Sequence, residues 1–105
     1  SVTQSSFAAP CTPLAGGANS GFQPVAAGAT SLPQFSFNIT NATAPLWFFC
    51  AQTSPVSHCG SGMVFALNPT TAKNFSTFQV SIQCLYVGTT YTHSAAGDRQ
   101  CYPLQ

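Results

Sequence analysis

Two apolar runs separated by a polar loop make up residues 45–69, PLWFFCAQTSPVSHCGSGMVFALNP. The first run, residues 46–50, is rich in aromatic side chains, which favour β-strands. The second run, residues 63–67, has a similar composition, and the dipeptide Asn68-Pro69 ends it. Because Ser, Gly and Pro dominate the residues between the runs, the stretch predicts a strand–loop–strand hairpin whose first strand is buried on both faces.

Outside this hairpin, the alternation of apolar and polar residues predicts further strands. Residues 35–40 and 78–87 both alternate with a period of two, which is typical of half-buried strands. Residues 70–78 have the composition of a helical turn, and residues 8–34 contain so much Ala, Gly, Pro and Ser that we expect an irregular connection. The sequence therefore predicts one all-β domain over residues 1–105.

Charge is almost absent from this chain. Lys73, Asp98 and Arg99 are its only charged residues, and the net charge is +1. Nucleic-acid binding and polybasic membrane attachment need several Lys or Arg residues, so we expect neither. A single carboxylate cannot form the acid/base pair of a glycosidase. Since no apolar run approaches the roughly 18 residues of a membrane span, we also expect no such span.

Cysteines and glycosylation sequons indicate an oxidising, secreted setting. The five cysteines are Cys11, Cys50, Cys59, Cys84 and Cys101. The three Asn-X-Ser/Thr sequons begin at Asn38, Asn41 and Asn74. The sequence starts at Ser1 with neither Met nor a signal-peptide pattern, so we expect processing or truncation at the N-terminus. Together these features predict a secreted, extracellular glycoprotein with disulfide bonds.

The central hairpin carries a set of soft metal ligands. Cys50 ends its first strand, Met63 begins its second strand, and His58 lies on the loop between them. Thiolate, imidazole and thioether suit copper, which cycles between two oxidation states, whereas a thioether is a poor ligand for zinc. Gly60 and Gly62 give the loop the freedom to turn. The alternatives are a structural cysteine, a solvated loop histidine and a core methionine.

Residues 45–52 and 57–69 resemble the copper-loop region of fungal secreted cupredoxin-like proteins, which are relatives of plant phytocyanins and often belong to serine-rich extracellular proteins. The opening residues 1–11 and the tripeptide at 20–22 are also similar to this family. The resemblance covers roughly residues 1–78, and residues 79–105 do not continue the pattern. It implies a cupredoxin-like Greek-key β-sandwich that lacks its first strands, with open sheet edges able to pair with another copy.

The same resemblance implies copper as the cofactor and a role for each ligand. Cys50 would be the thiolate ligand, His58 an imidazole ligand and Met63 the axial thioether. In this family another copper histidine immediately precedes the stretch that begins here at Ser1. Without that histidine, we expect a lower copper affinity and a fourth position open to water or another ligand.

The resemblance also implies the disulfide pairing. Phytocyanin-like domains have a bond that corresponds to Cys11–Cys59. The remaining pair is then Cys84 with Cys101, and Cys50 stays free. This second pair lies in the part of the chain that the resemblance does not cover.

These features predict type 1 (blue) copper binding and one-electron transfer with a redox partner that the sequence does not identify. No bond is made or broken in a substrate, so we do not expect an enzyme. The alternative is a secreted structural or interaction module without copper, which would act on a component of the cell wall or of a host surface, for example as an immunomodulatory protein.

Overall fold

Three strands, one helix and a second hairpin follow one another along the chain. The computed structural model describes residues 1–86, together with the backbone of residues 89–93 and 99–103. The elements are β1 (Thr3–Ser5), β2 (Leu46–Phe49), β3 (Val64–Leu67), α1 (Phe75–Tyr86), β4 (Thr89–His93) and β5 (Arg99–Pro103). Strands β1, β2 and β3 form an open sheet, and β4 and β5 form an antiparallel hairpin beside α1.

The three-stranded sheet is antiparallel, with β2 in its centre. Phe49 of β2 lies opposite Thr3 of β1 and Val64 of β3. The consecutive side chains Trp47, Phe48 and Phe49 are all buried. Because neighbouring side chains on a strand point to opposite faces of the sheet, this burial requires cover on both faces. The predicted hairpin and the two-sided burial of its first strand are therefore confirmed.

Helix α1 covers one face of the sheet. Phe78 and Ile82, which are four residues apart and so lie on one side of the helix, are fully buried. They join a cluster with Trp47, Phe49 and Cys59. The Trp47 and Phe78 rings are 4.7 Å apart between centroids. Through this cluster, the helix packs against both the central strand and the loop of the hairpin.

The opposite face of the sheet is covered by a long segment without regular structure. The Phe48 ring lies 5.4 Å from Phe37, which belongs to residues 20–45, and 5.9 Å from Phe65 of β3. Phe37 is half-buried, whereas Phe65 is exposed. The cover on this face is therefore thinner than the cover that α1 provides.

The two edges of the sheet differ. Residues 14–20 run along β1, where Gln4 N donates to Ala18 O at 2.8 Å and Ser20 N donates to Val2 O at 2.9 Å. Among the described strands, β3 pairs only with β2. The outer edge of β3 is thus the open edge, and association of two copies through it stays a prediction.

The strand predicted over residues 78–87 is wrong, because Phe75–Tyr86 form a helix. Phe78 and Ile82 satisfy a period of two and a spacing of four equally well, so the alternation could not separate strand from helix. Asn74 caps the first turn of this helix. The helical turn predicted over residues 70–78 holds only from Phe75 onward. An all-β chain is therefore correct for the sheet and wrong for this segment.

The strand predicted over residues 35–40 is also wrong, because these residues form no strand. In a strand, their alternation would place Phe35, Phe37 and Ile39 on one side, but among the described strands none pairs with this segment. Phe35 and Ile39 remain exposed, whereas Phe37 packs against the sheet through Phe48. A strand needs a partner, and the pattern of one segment cannot supply it. The irregular connection predicted over residues 8–34 agrees with the structure, apart from a single bridge between Asn19 and Thr3.

The N-cap of α1 leads to a test of the helix assignment. Asn74 Oδ1 accepts a hydrogen bond from Thr77 N at 2.8 Å. We expect Asn74→Ala to lower the free energy of unfolding by about 1 kcal/mol, because an amide donor loses its partner. Urea unfolding followed by far-UV circular dichroism would measure it on protein made without glycans. Asn74→Asp, which keeps the cap, is the matched control, and equal stability of the two variants would contradict the capped helix.

Candidate metal site

The hairpin loop links the backbones of the three candidate ligands to one another. Cys50 N donates to Met63 O at 3.1 Å, and Met63 N donates to His58 O at 2.9 Å. His58 N in turn donates to Gln52 O at 2.9 Å. Since Cys50 directly follows β2 and Met63 directly precedes β3, the sheet positions two of the three residues. The hydrogen bonds then position the third.

The Cys50 thiol and the His58 imidazole face each other. Cys50 Sγ lies 3.6 Å from His58 Nδ1. Two ligands at ordinary sulfur and nitrogen distances from one tetrahedrally coordinated ion would be about 3.6 Å apart. A hydrogen bond between thiol and imidazole has a similar length. The distance between Cys50 Sγ and His58 Nδ1 thus suits two ligands of one metal ion. Without a metal, the same distance suits a contact between thiol and imidazole.

Cys50 is a buried free thiol. Its side chain is 7% exposed and is not in a disulfide. Burial raises the pKa of this thiol, whereas hydrogen bonds from the Gln52 backbone and from Ser1 lower it. The pKa of Cys50 lies below its ordinary value. The alternative of a structural half-cystine at this position is wrong.

Met63 lies at the rim of the same site. Its side chain is 56% exposed, and it precedes β3, so the alternative of a core residue is wrong. Met63 and Cys50 line one cavity of about 160 Å³, whose other walls include Val2 and Phe65. A thioether in that position is accessible from solvent and borders the same cavity as Cys50.

Ser1 completes the surroundings of Cys50 and was not recognised from the sequence. Its nitrogen lies 3.3 Å from Cys50 Sγ, and its hydroxyl accepts a hydrogen bond from Ala51 N at 3.0 Å. The pairing of β1 with β2 brings the start of the chain to this point. The only signal in the sequence was the resemblance, which placed a copper ligand immediately before Ser1.

The Cys11–Cys59 disulfide bond is present in the structure. It joins residues that are 48 positions apart, and Cys59 is buried in the cluster beneath α1. Because Cys59 follows His58 directly, the bond anchors the loop beside a candidate ligand. Cys84 is also a half-cystine. The side chain of Cys101 lies outside the described residues, so the pairing of Cys84 with Cys101 stays a prediction.

The three sequons lie in different environments. Asn38 and Asn41 are exposed on the irregular segment, while Asn74 is half-buried at the start of α1. Their glycosylation stays a prediction.

The described part of the chain contains no complete set of His, Cys and carboxylate ligands for a metal ion. Three or more His, Cys, Asp or Glu residues are nowhere close enough there to hold one ion. A site at Cys50 and His58 therefore depends on the Met63 thioether or on a further ligand.

Within residues that the structure describes, no helix has both the length and the hydropathy to cross a lipid bilayer. No family model, curated protein or solved structure matches this chain.

Proposed function

We propose that this protein binds one copper ion through Cys50, His58 and Met63 and transfers single electrons in an extracellular or cell-wall setting. The observation that carries the proposal is the 3.6 Å approach of Cys50 Sγ to His58 Nδ1. The position of Met63 on the same cavity as Cys50 supports it. Copper bound by these residues would supply the one-electron chemistry.

The residues of the hairpin would hold the ligands in place during electron transfer. Cys50 and Met63 adjoin paired strands, and their backbones are hydrogen-bonded to each other at 3.1 Å. His58 is fixed by its own backbone bonds and by the disulfide at the next residue. Ligands held in this way move little when the charge at the site changes, which keeps the cost of reorganisation low.

A fourth ligand would approach from the N-terminal side. The resemblance places a histidine immediately before Ser1, and the Ser1 nitrogen is 3.3 Å from Cys50 Sγ. A residue attached there would have its side chain within reach of the thiol. We propose the cupredoxin Greek-key sandwich on the same basis: β1, β2 and β3 would be its copper-binding part, and preceding strands would complete it.

Copper titration of the purified chain tests this function. We expect Cu(II) to produce a strong absorption band near ~600 nm, which is typical of charge transfer from a thiolate, and to saturate at one ion per chain. Ascorbate should bleach the band and ferricyanide should restore it, because the electron enters and leaves at the metal. The unfolded chain in urea is the control. A colourless folded protein that still has a titratable thiol would refute the copper function.

The exposed apolar side chains favour a second candidate, the interaction module without copper. Phe22 and Leu32 on the irregular segment are 62% and 63% exposed, and Phe65 on the sheet is 53% exposed. Such side chains, with so few charges around them, suit contacts with another apolar surface. A colourless protein would leave this candidate as the better explanation of the scaffold.

A further inference from the structure

We infer that helix α1 sets the conformation of the metal-ligand loop through Gln79 and Tyr86, and so acts as a positioning element for His58 and Met63. The role of these ligands rests on the proposed copper function. The helical segment lies largely outside the region that the family resemblance covers, so the resemblance alone would assign it no part in the site.

Gln79 holds the peptide group that leads into Met63. Its Nε2 donates to Gly62 O at 3.1 Å. The Gly62 carbonyl and the Met63 amide belong to one rigid peptide plane. The other end of this plane is fixed as well, because Met63 N donates to His58 O at 2.9 Å. Rotation of the plane would therefore break the contact with Gln79 and disturb both candidate ligands at once.

The backbone at Gly62 needs such support. Its φ angle is +98°, in a region that residues other than glycine rarely adopt. A Cβ atom at this position would lie 3.3 Å from Gln79 Nε2, so the helix approaches the loop closely here. Glycine gives the loop its turn but also leaves it free to adopt other conformations. A hydrogen bond from the helix selects one of them.

Tyr86 holds the other half of the loop. Its ring lies directly over Gly60, where any Cβ atom would overlap the ring. Ser57 Oγ donates to Tyr86 Oη at 2.8 Å and accepts from Gly60 N at 3.0 Å. These contacts flank His58 on both sides along the chain. The ring and its hydroxyl thus restrain the turn that carries the imidazole.

The two contacts share one stripe of the helix. Gln79 and Tyr86 are seven residues apart, which is about two helical turns, so both side chains face the loop. The neighbouring stripe contains Phe78 and Ile82, which are buried against the sheet. A single rigid helix therefore links the loop to the sheet that bears Cys50.

Hydrogen exchange and copper spectroscopy of three variants test this role. We expect Gln79→Ala to speed exchange of the Met63 amide about 10-fold in the metal-free protein, while amides in the centre of β2 exchange as before. In the copper protein, we expect about 10-fold weaker metal binding and a shifted ~600 nm band, as losses around a metal site usually cause. Tyr86→Phe, which keeps the ring and loses the hydroxyl, should also speed amide exchange and weaken copper binding, but by a smaller factor.

Gln83→Ala is the matched control, because Gln83 is exposed and adjacent to Gly62. It should leave exchange and spectrum unchanged. If Gln79→Ala behaves like this control in both measurements, the inference is overturned. If the unaltered chain shows no copper band, the copper function fails, and the exchange rates of the metal-free protein still decide whether the helix holds the loop.

Discussion

Replacement of Cys50 by serine should remove the ~600 nm band of the copper protein and weaken copper binding by at least about 100-fold. The band arises from charge transfer between thiolate sulfur and copper, and a hydroxyl oxygen cannot replace that sulfur. Loss of a group that merely supports a metal ligand costs 10- to 100-fold in affinity, so loss of a ligand should cost more. Absorption spectra and competition with a copper chelator measure both effects.

The fold should survive this substitution, which keeps the test specific. Serine is nearly isosteric with cysteine, and the Cys50 thiol is not part of a disulfide. Thiol titration should fall by one group per chain. Met63→Leu is the control, because the axial thioether should contribute less to copper binding than the thiolate does. We expect this variant to keep the absorption band at a shifted wavelength. A band that persists in Cys50→Ser would assign copper to another site.

Removal of the Cys11–Cys59 disulfide should lower the free energy of unfolding by about 4 kcal/mol. The bond joins residues 48 positions apart. Closing a loop of that length lowers the conformational entropy of the unfolded chain, which raises its free energy by about 4 kcal/mol. Such a loss is a large fraction of the stability of a chain of this size. Urea unfolding of the Cys11→Ala/Cys59→Ala double variant measures it.

The control for this prediction separates the covalent bond from packing. Cys59 belongs to the buried cluster with Phe78 and Ile82, so its truncation also removes contacts. Unfolding of the unaltered chain after selective reduction of the same bond keeps both sulfur atoms in place. A loss below about 1 kcal/mol in both cases would show that this bond contributes little to folding.

Local sequence was sufficient for the hairpin. The aromatic run that becomes β2 and the apolar run that becomes β3 each have strand composition, and Asn68-Pro69 ends the second run. The residues between them are too polar and too rich in glycine for either element. The resemblance added the Cys11–Cys59 bond, which the structure contains.

The helix could not be predicted in this way, because Phe78 and Ile82 suit both a strand and a helix. The cluster with Trp47 and Phe49 resolves the ambiguity in the folded protein. Residues 35–40 show the opposite case, in which a good strand pattern finds no partner strand. In both segments, the apolar pattern alone did not determine the conformation, and tertiary contacts determined it.

The sequence by itself determined which donor atoms this protein can offer to a metal and where they stand on the hairpin. Only the tertiary structure decided that Cys50 Sγ meets His58 Nδ1, that Ser1 lies beside them and that Gln79 and Tyr86 hold the loop. The physical reason is the range of the interactions. Strand propensity and turn formation act between near neighbours in the chain, whereas these contacts join residues that come together only when the sheet, the helix and the disulfide are all in place.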